Sequence, residues 1–261
     1  TAKENRKRMI ETLNCEKYVE HLRQMDPVRV NGRVTHLIGL TVESEGPDAS
    51  IGELCHIYPV KSGPPVMAEV VGFRDNKVLL MPLGELHSIG PGCEVVGTGK
   101  PLTVSVGHEL LGKVLDGLGR PLDGSKLSHK MARYSTENAP PNPLERPRVK
   151  EPITTGIRCI DGLLTVGKGQ RIGIFAGSGV GKSTLMGMVA RNTSADVNVI
   201  ALIGERGREV LDFLEKDLGE EGLARSVVVV ATSDQPALIR IKGAMIATSI
   251  AEYFRDRGLD V

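Results

Sequence analysis

The chain has 261 residues, 40% of them apolar, with 33 Lys and Arg against 32 Asp and Glu and a net charge of +1. That is enough apolar material to build one large domain or two modest ones. The near balance of charge, the absence of Trp and an aromatic content of 3% argue against a nucleic-acid partner, which would call for a basic excess and stacking platforms.

Residues 1–25, TAKENRKRMIETLNCEKYVEHLRQM, are charged, with Met9, Ile10, Leu13, Tyr18 and Leu22 at roughly helical spacing. Two readings stand: an exposed amphipathic helix at the edge of the next domain, or a docking helix for a partner or an anionic membrane surface. Over 26–97 short β-rich runs recur between Gly, Pro, Asn and Asp punctuation: RVNGRVTHLIGLTVES, ELCHIYPV, MAEVVGF, KVLLMPL and CEVVG. This predicts a small closed β-barrel, with hairpin turns at VNGRV and RDNKV. His36, His56 and His87 are isolated in it and read as ordinary surface or strand residues. The four cysteines, Cys15, Cys55, Cys93 and Cys159, form no CxxC pair and are expected to be buried free thiols of a reducing compartment. No apolar run reaches membrane-spanning length and no signal-peptide pattern is present.

Residues 98–261 are read as a connecting segment followed by an α/β domain. LLGKVLDGLGRPLDG (110–124) places Gly and Pro turns around an apolar pair, and NAPPNPLERPRVKEP (138–152) reads as a stiff extended crossing. From Gln170 uniformly apolar strands alternate with helices. RIGIFAG, VNVIALIG and SVVVVATS are predicted strands. KSTLMGMVARNT, GREVLDFLEKDLG (Val210, Leu211, Leu214 and Leu218 on one side) and PALIRIKGAMIATSIAEYFRDRG are predicted helices. That order predicts a mostly parallel sheet covered on both faces. Ser233 or Asp234 is expected to cap the last helix before Pro236, and Gly258 to stop it.

AGSGVGKST (176–184) falls between a predicted strand and a predicted helix, where a phosphate-binding loop belongs. Glycines at 177, 179 and 181 permit positive φ and close approach of the backbone to phosphate. The expected nucleotide contacts are Gly177, Ser178, Gly179, Val180, Gly181, Lys182, Ser183 and Thr184. Lys182 supplies a point charge to the β- and γ-phosphates of ATP, and the Ser183 hydroxyl a ligand to Mg²⁺. The pattern GxxxxGK[ST] is met except at its first position, which is Ala176. Glu205 and Arg206 stand just beyond the carboxyl end of the next strand, where open α/β sheets bind ligands. Spacing leaves two roles open for Glu205: a base for the attacking water, or a helix N-terminal acid beside an exposed arginine. Arg206 is expected to balance charge at the site or to touch a neighbouring subunit.

TVGKGQRIGIFAGSGVGKSTLMGMVAR, ALIGERGREVLDFLEKDLGEEGLARSVVVVATSD and RIKGAMIATSIAEYFRDRGLDV together resemble the flagellar and type III secretion export ATPases, relatives of the catalytic subunit of rotary ATP synthases. LLGKVLDGLGRPLDG and NPLERPRVKEPITTGIRCIDGLLTVGKGQ resemble that family's connecting segment. The resemblance implies an N-terminal β-barrel and a RecA-like P-loop domain in a homohexamer with ATP between subunits. It also implies that Glu205 is the glutamate that activates water, which with Lys182 and Arg206 makes up the expected catalytic set. It further implies a regulatory stator-like protein at the N-terminal segment, and chaperoned export substrates unloaded at a membrane export gate by a cytoplasmic enzyme peripheral to the inner membrane. Other readings on the same core are a non-catalytic ring subunit, which Glu205 argues against, a rotary-pump catalytic subunit and a Rho-like translocase. Family members continue past the residues matching RDRGLDV into a Walker B strand, an arginine finger and a C-terminal helical domain. The sequence therefore reads as a partial one, from which little or no ATP turnover is expected.

Overall fold

A computed structural model of the chain describes Val19 and residues 30–60, 63–86, 88–177 and 179–261. The predicted N-terminal helix, Cys15, His87 and Ser178 lie outside the described residues. Six antiparallel strands form first: β1 (Gly32–Ile38), β2 (Thr41–Glu45), β3 (Glu53–Tyr58), β4 (Val66–Arg74), β5 (Lys77–Pro82) and β6 (Glu94–Pro101). They close into a barrel in the order β1-β2-β5-β4-β3-β6. Alternation at period two sends Val34, Val42, Ile57, Val70, Leu80 and Val95 into its core. RDNKV makes the β4–β5 turn, with Asp75 and Asn76 at φ 47° and 64°, the left-handed pair that a two-residue hairpin needs. VNGRV makes no turn. It leads into β1, where Gly32 is pressed so closely on the Gly46 carbonyl that no Cβ fits, and the β1–β2 turn falls instead at Gly39 and Leu40.

Cys55 and Cys93 are buried, whereas Cys159 is exposed and departs from the expectation. Burial, and secondly the nearby Glu53 charge, push the Cys55 thiol up to about 12.

The connecting segment is more structured than its turns suggested. β7 (Thr103–Val106) pairs antiparallel with β9 (Ala132–Ser135), and between them β8 (Val114–Asp116) joins the parallel sheet. The proline-rich crossing is exposed but not extended throughout: the Glu145 amide donates to the Asn142 carbonyl and closes a turn at 143–145, and the segment ends in β10 (Pro152–Ile153). β10 pairs with β11 (Val166–Gly167) around the short helix α1 (Arg158–Leu163).

The α/β layer holds α2 (Lys182–Asn192), β12 (Asn198–Ile203), α3 (Gly207–Asp212), a π-helical turn (Phe213–Leu218), α4 (Gly219–Ala224), β13 (Ser226–Ala231) and α5 (Ala237–Asp256). The sheet order is β12-β13-β8, all parallel. RIGIFAG is not a strand: no strand among the described residues pairs with it, and Ile172, Ile174 and Phe175 are exposed. Apolar character alone does not make a strand without a neighbour to complete the ladder.

In the second predicted helix the π turn shifts the buried face. Phe213 and Leu218 are buried while Leu211 is 59% exposed, against its predicted inward place. Gly187 of α2 lies against this turn, and a Cβ there would fall on the Asp217 carbonyl. α5 starts after Pro236 with no side-chain cap, so neither Ser233 nor Asp234 caps it. The Ser233 amide donates instead to the Glu205 carbonyl at 3.0 Å, and a hydrogen bond from Thr232 holds the Asp234 carboxyl below its ordinary range. Gly258, at φ 80°, ends α5 as expected.

α5 also joins the two halves of the molecule. Lys242 is 2% exposed, and its Nζ lies 2.7 Å from Glu69 Oε2 of β4 and 3.1 Å from Glu137 Oε1 of the connecting segment. No described helix is long and apolar enough to cross a membrane.

Three outcomes are expected. Lys242→Met leaves Glu69 buried without its cation and lowers unfolding stability by about 3 kcal/mol in urea titrations, and adding Glu69→Leu restores most of it. Gly187→Ala forces α2 away from the π turn and costs about 1–3 kcal/mol, read as a lower denaturation midpoint. Iodoacetamide at mildly alkaline pH labels Cys159 well before Cys55 or Cys93 in peptide mass spectra, since burial shuts the reagent away from both thiols and the raised pKa of Cys55 leaves it almost no thiolate.

Candidate nucleotide site

The P-loop lysine sits where a lone cation is unfavourable. Helix α2 begins at the N-cap Gly181, φ 93°, with no side-chain cap and no acid in its first turn. Its first closing bond runs from the Leu185 amide to the Gly181 carbonyl. The amides of Lys182, Ser183 and Thr184 therefore lack intrahelical acceptors, and the positive end of the helix dipole carries a further positive charge in Lys182. An anion placed there would satisfy all of these groups together. Gly179 and Gly181 take positive φ, whereas Gly177 does not.

A cavity of about 660 Å³ opens over this helix start. Gly177, Gly179, Gly181, Lys182, Ser183 and Thr184 line it from the loop side. Val180 is 67% exposed and is not part of the lining. Across the cavity stand Glu205 and Arg206, carried there by the carboxyl end of β12. Their loop is anchored by Gly204, whose amide donates to the Ala231 carbonyl at 2.7 Å, and by the Ser233 bond to Glu205. Lys182 Nζ lies 3.7 Å from Glu205 Oε1. The two residues chosen from distant motifs thus face each other across one cavity.

Arg206 lines the same space, but its Nη1 is held 3.0 Å from Glu209 Oε1 on the following turn. Three acids missed in the sequence, Glu209, Asp212 and Asp217, complete the far wall. Asp212 is paired to Lys216 at 2.6 Å. Their spacing signalled an ordinary solvated helix face, and the π turn that brings Asp217 beside Asp212 has no simple sequence mark. Among the described residues no group of three or more His, Cys, Asp or Glu could hold a metal ion by itself. A hard cation at Ser183 would therefore draw most of its ligands from phosphate oxygens and water, as Mg²⁺ commonly does.

Comparison with known proteins agrees with this geometry. The nucleotide-binding domain of the ATP synthase alpha/beta family matches residues 156–261, and the same family's beta-barrel domain matches 34–99. A flagellum-specific ATP synthase of Bacillus subtilis is 57% identical over 95% of this chain and 57% of its own length. A type 3 secretion system ATPase of Xanthomonas euvesicatoria is 51% identical over 88% of this chain and 52% of its own. Among solved structures, the assembled ATPase EscN in complex with its central stalk EscO, from the enteropathogenic E. coli type III secretion system, superposes with a TM-score of 0.79. It is 44% identical over 88% of this chain and 56% of that one. The chain spans little more than half the length of these relatives. With both family domains matched in order, and the P-loop facing an acid from the next strand, the chain belongs to the ATP synthase alpha/beta family, among the flagellar and type III secretion export ATPases.

Proposed function

We propose that this chain forms the nucleotide site of an ATPase that hydrolyses ATP to ADP and phosphate to drive flagellar or type III protein export. The observation that carries the reading is the Lys182–Glu205 pair across the loop cavity, 3.7 Å apart. The free amides at the start of α2 and the Lys182 ammonium hold the β- and γ-phosphates and draw off charge as it develops on them. Ser183 presents its hydroxyl to Mg²⁺, which when bound screens the phosphate charge. Once phosphate takes over Lys182, the Glu205 carboxylate is freed to orient a water in line with the γ-phosphorus and to accept its proton. Arg206 keeps Glu209 engaged and away from the phosphates.

The assembled state of the similar EscN supports a ring, proposed here as a homohexamer with ATP between subunits. The stalk in that complex supports a stalk- or stator-like partner for this protein, placed here at the N-terminal segment. Export chaperone–substrate complexes and a membrane export gate complete the proposed setting, at the cytoplasmic side of the inner membrane.

Binding and chemistry separate in the test. Titrating a fluorescent ATP analogue with Mg²⁺ present, Lys182→Ala weakens binding at least tenfold, while Glu205→Gln stays within about threefold of the parent. Phosphate release, read in an assembled protein extended to the length of its relatives, falls at least a hundredfold with Glu205→Gln. Unchanged release in that variant would assign the chain to a non-catalytic, nucleotide-binding role.

A further inference from the structure

A second cavity, of about 620 Å³, lies where the barrel meets the connecting segment, and it shares no lining residue with the nucleotide cavity. Its apolar wall is made by Leu54 of β3 together with Leu102, Val104 and Leu118. The outer wall is the strap that follows β8. There Gly119, at φ 78°, lets the chain turn close over Val104: a Cβ at this position would stand 2.8 Å from Val104 Cγ2.

The polar part of the lining has one sign. Lys100, Arg120 and Arg133 line the cavity and no Asp or Glu does. Arg120 is engaged by Asp116 at 2.8 Å. Lys100 and Arg133 make no ion pair among the described residues, and Arg133 donates only to the Ser105 hydroxyl, itself part of the lining. His56 stands on the same wall with its Nδ1 buried and without a hydrogen-bond partner among the described residues. A hollow of this size with an apolar wall and a few convergent polar groups has the make-up of a small-molecule site. Two uncompensated cations beside a low-dielectric wall select the sign of the ligand.

We infer that this junction cavity binds a small organic anion with an apolar body, its anionic group between Lys100 and Arg133 and its body against Leu54, Leu102, Val104 and Leu118. The probe is anilinonaphthalene sulfonate, with uncharged phenylnaphthylamine as its neutral counterpart, both followed by fluorescence on the whole chain. One saturable sulfonate site is expected. Lys100→Glu with Arg133→Glu, both at exposed side chains, weakens it at least tenfold and changes neutral-dye affinity less than twofold. Phe175→Ser, which removes the most exposed apolar side chain elsewhere, leaves the sulfonate site intact. The inference is overturned if no saturable site is found, if charge reversal leaves sulfonate binding unchanged or weakens both dyes equally, or if Phe175→Ser abolishes the signal.

Discussion

Every side chain of β13 is buried, and the strand is hydrogen-bonded on both edges, to β12 and to β8. That double pairing is the constraint from which the arrangement of the molecule follows. Ala231, the last residue of β13, accepts from Gly204 and so fixes the level at which β12 ends. Two residues later Ser233 donates to the Glu205 carbonyl. The acid facing the P-loop is thereby held through its backbone, which leaves its side chain to meet Lys182. On its other edge β13 takes a strand from the connecting segment, so the link to the barrel is built into the sheet.

The nucleotide cavity combines two electrostatic demands that cancel only when phosphate is present. On one wall the bare N-terminus of α2 and Lys182 want an anion. On the other, Glu205, Glu209, Asp212 and Asp217 bring carboxylates to the same space, two of them tied locally to Arg206 and Lys216. Lys182 reaches across to Glu205. In the function proposed here, a polyphosphate with its cation exchanges that contact for stronger ones and releases the carboxylate.

The barrel does not float beside this site. Lys242 on α5 is buried between Glu69 of the barrel and Glu137 of the connecting segment. A buried charge of this kind contributes less to net stability than to geometry, because either partner left alone is costly. α5 follows directly on the loop whose Ser233 holds Glu205, so the ion triad and the site are linked through one short stretch of chain. The cationic junction cavity lies against the barrel strand β3.

Local rules made much of this protein legible from its residues. The barrel strands followed alternation, the β4–β5 turn followed Asp75-Asn76, and the nucleotide loop followed from glycines, Lys182 and Ser183 at a spacing that backbone geometry demands. Glu205 could be placed at a strand's carboxyl end, but its role rested on resemblance. What only the tertiary structure decided were the features that depend on a neighbour. The apolar run at 171–177 is no strand because no described strand pairs with it, and β8 is a strand because β13 does. The π turn moved Leu211 outward and brought Asp217 to the cavity, and Lys242 lost its solvent to two carboxylates far away in sequence. Periodicity and turn chemistry act within a few residues. Ladder completion, helix phase against a packed face and the pairing of buried charges are settled between segments that meet only in the folded chain.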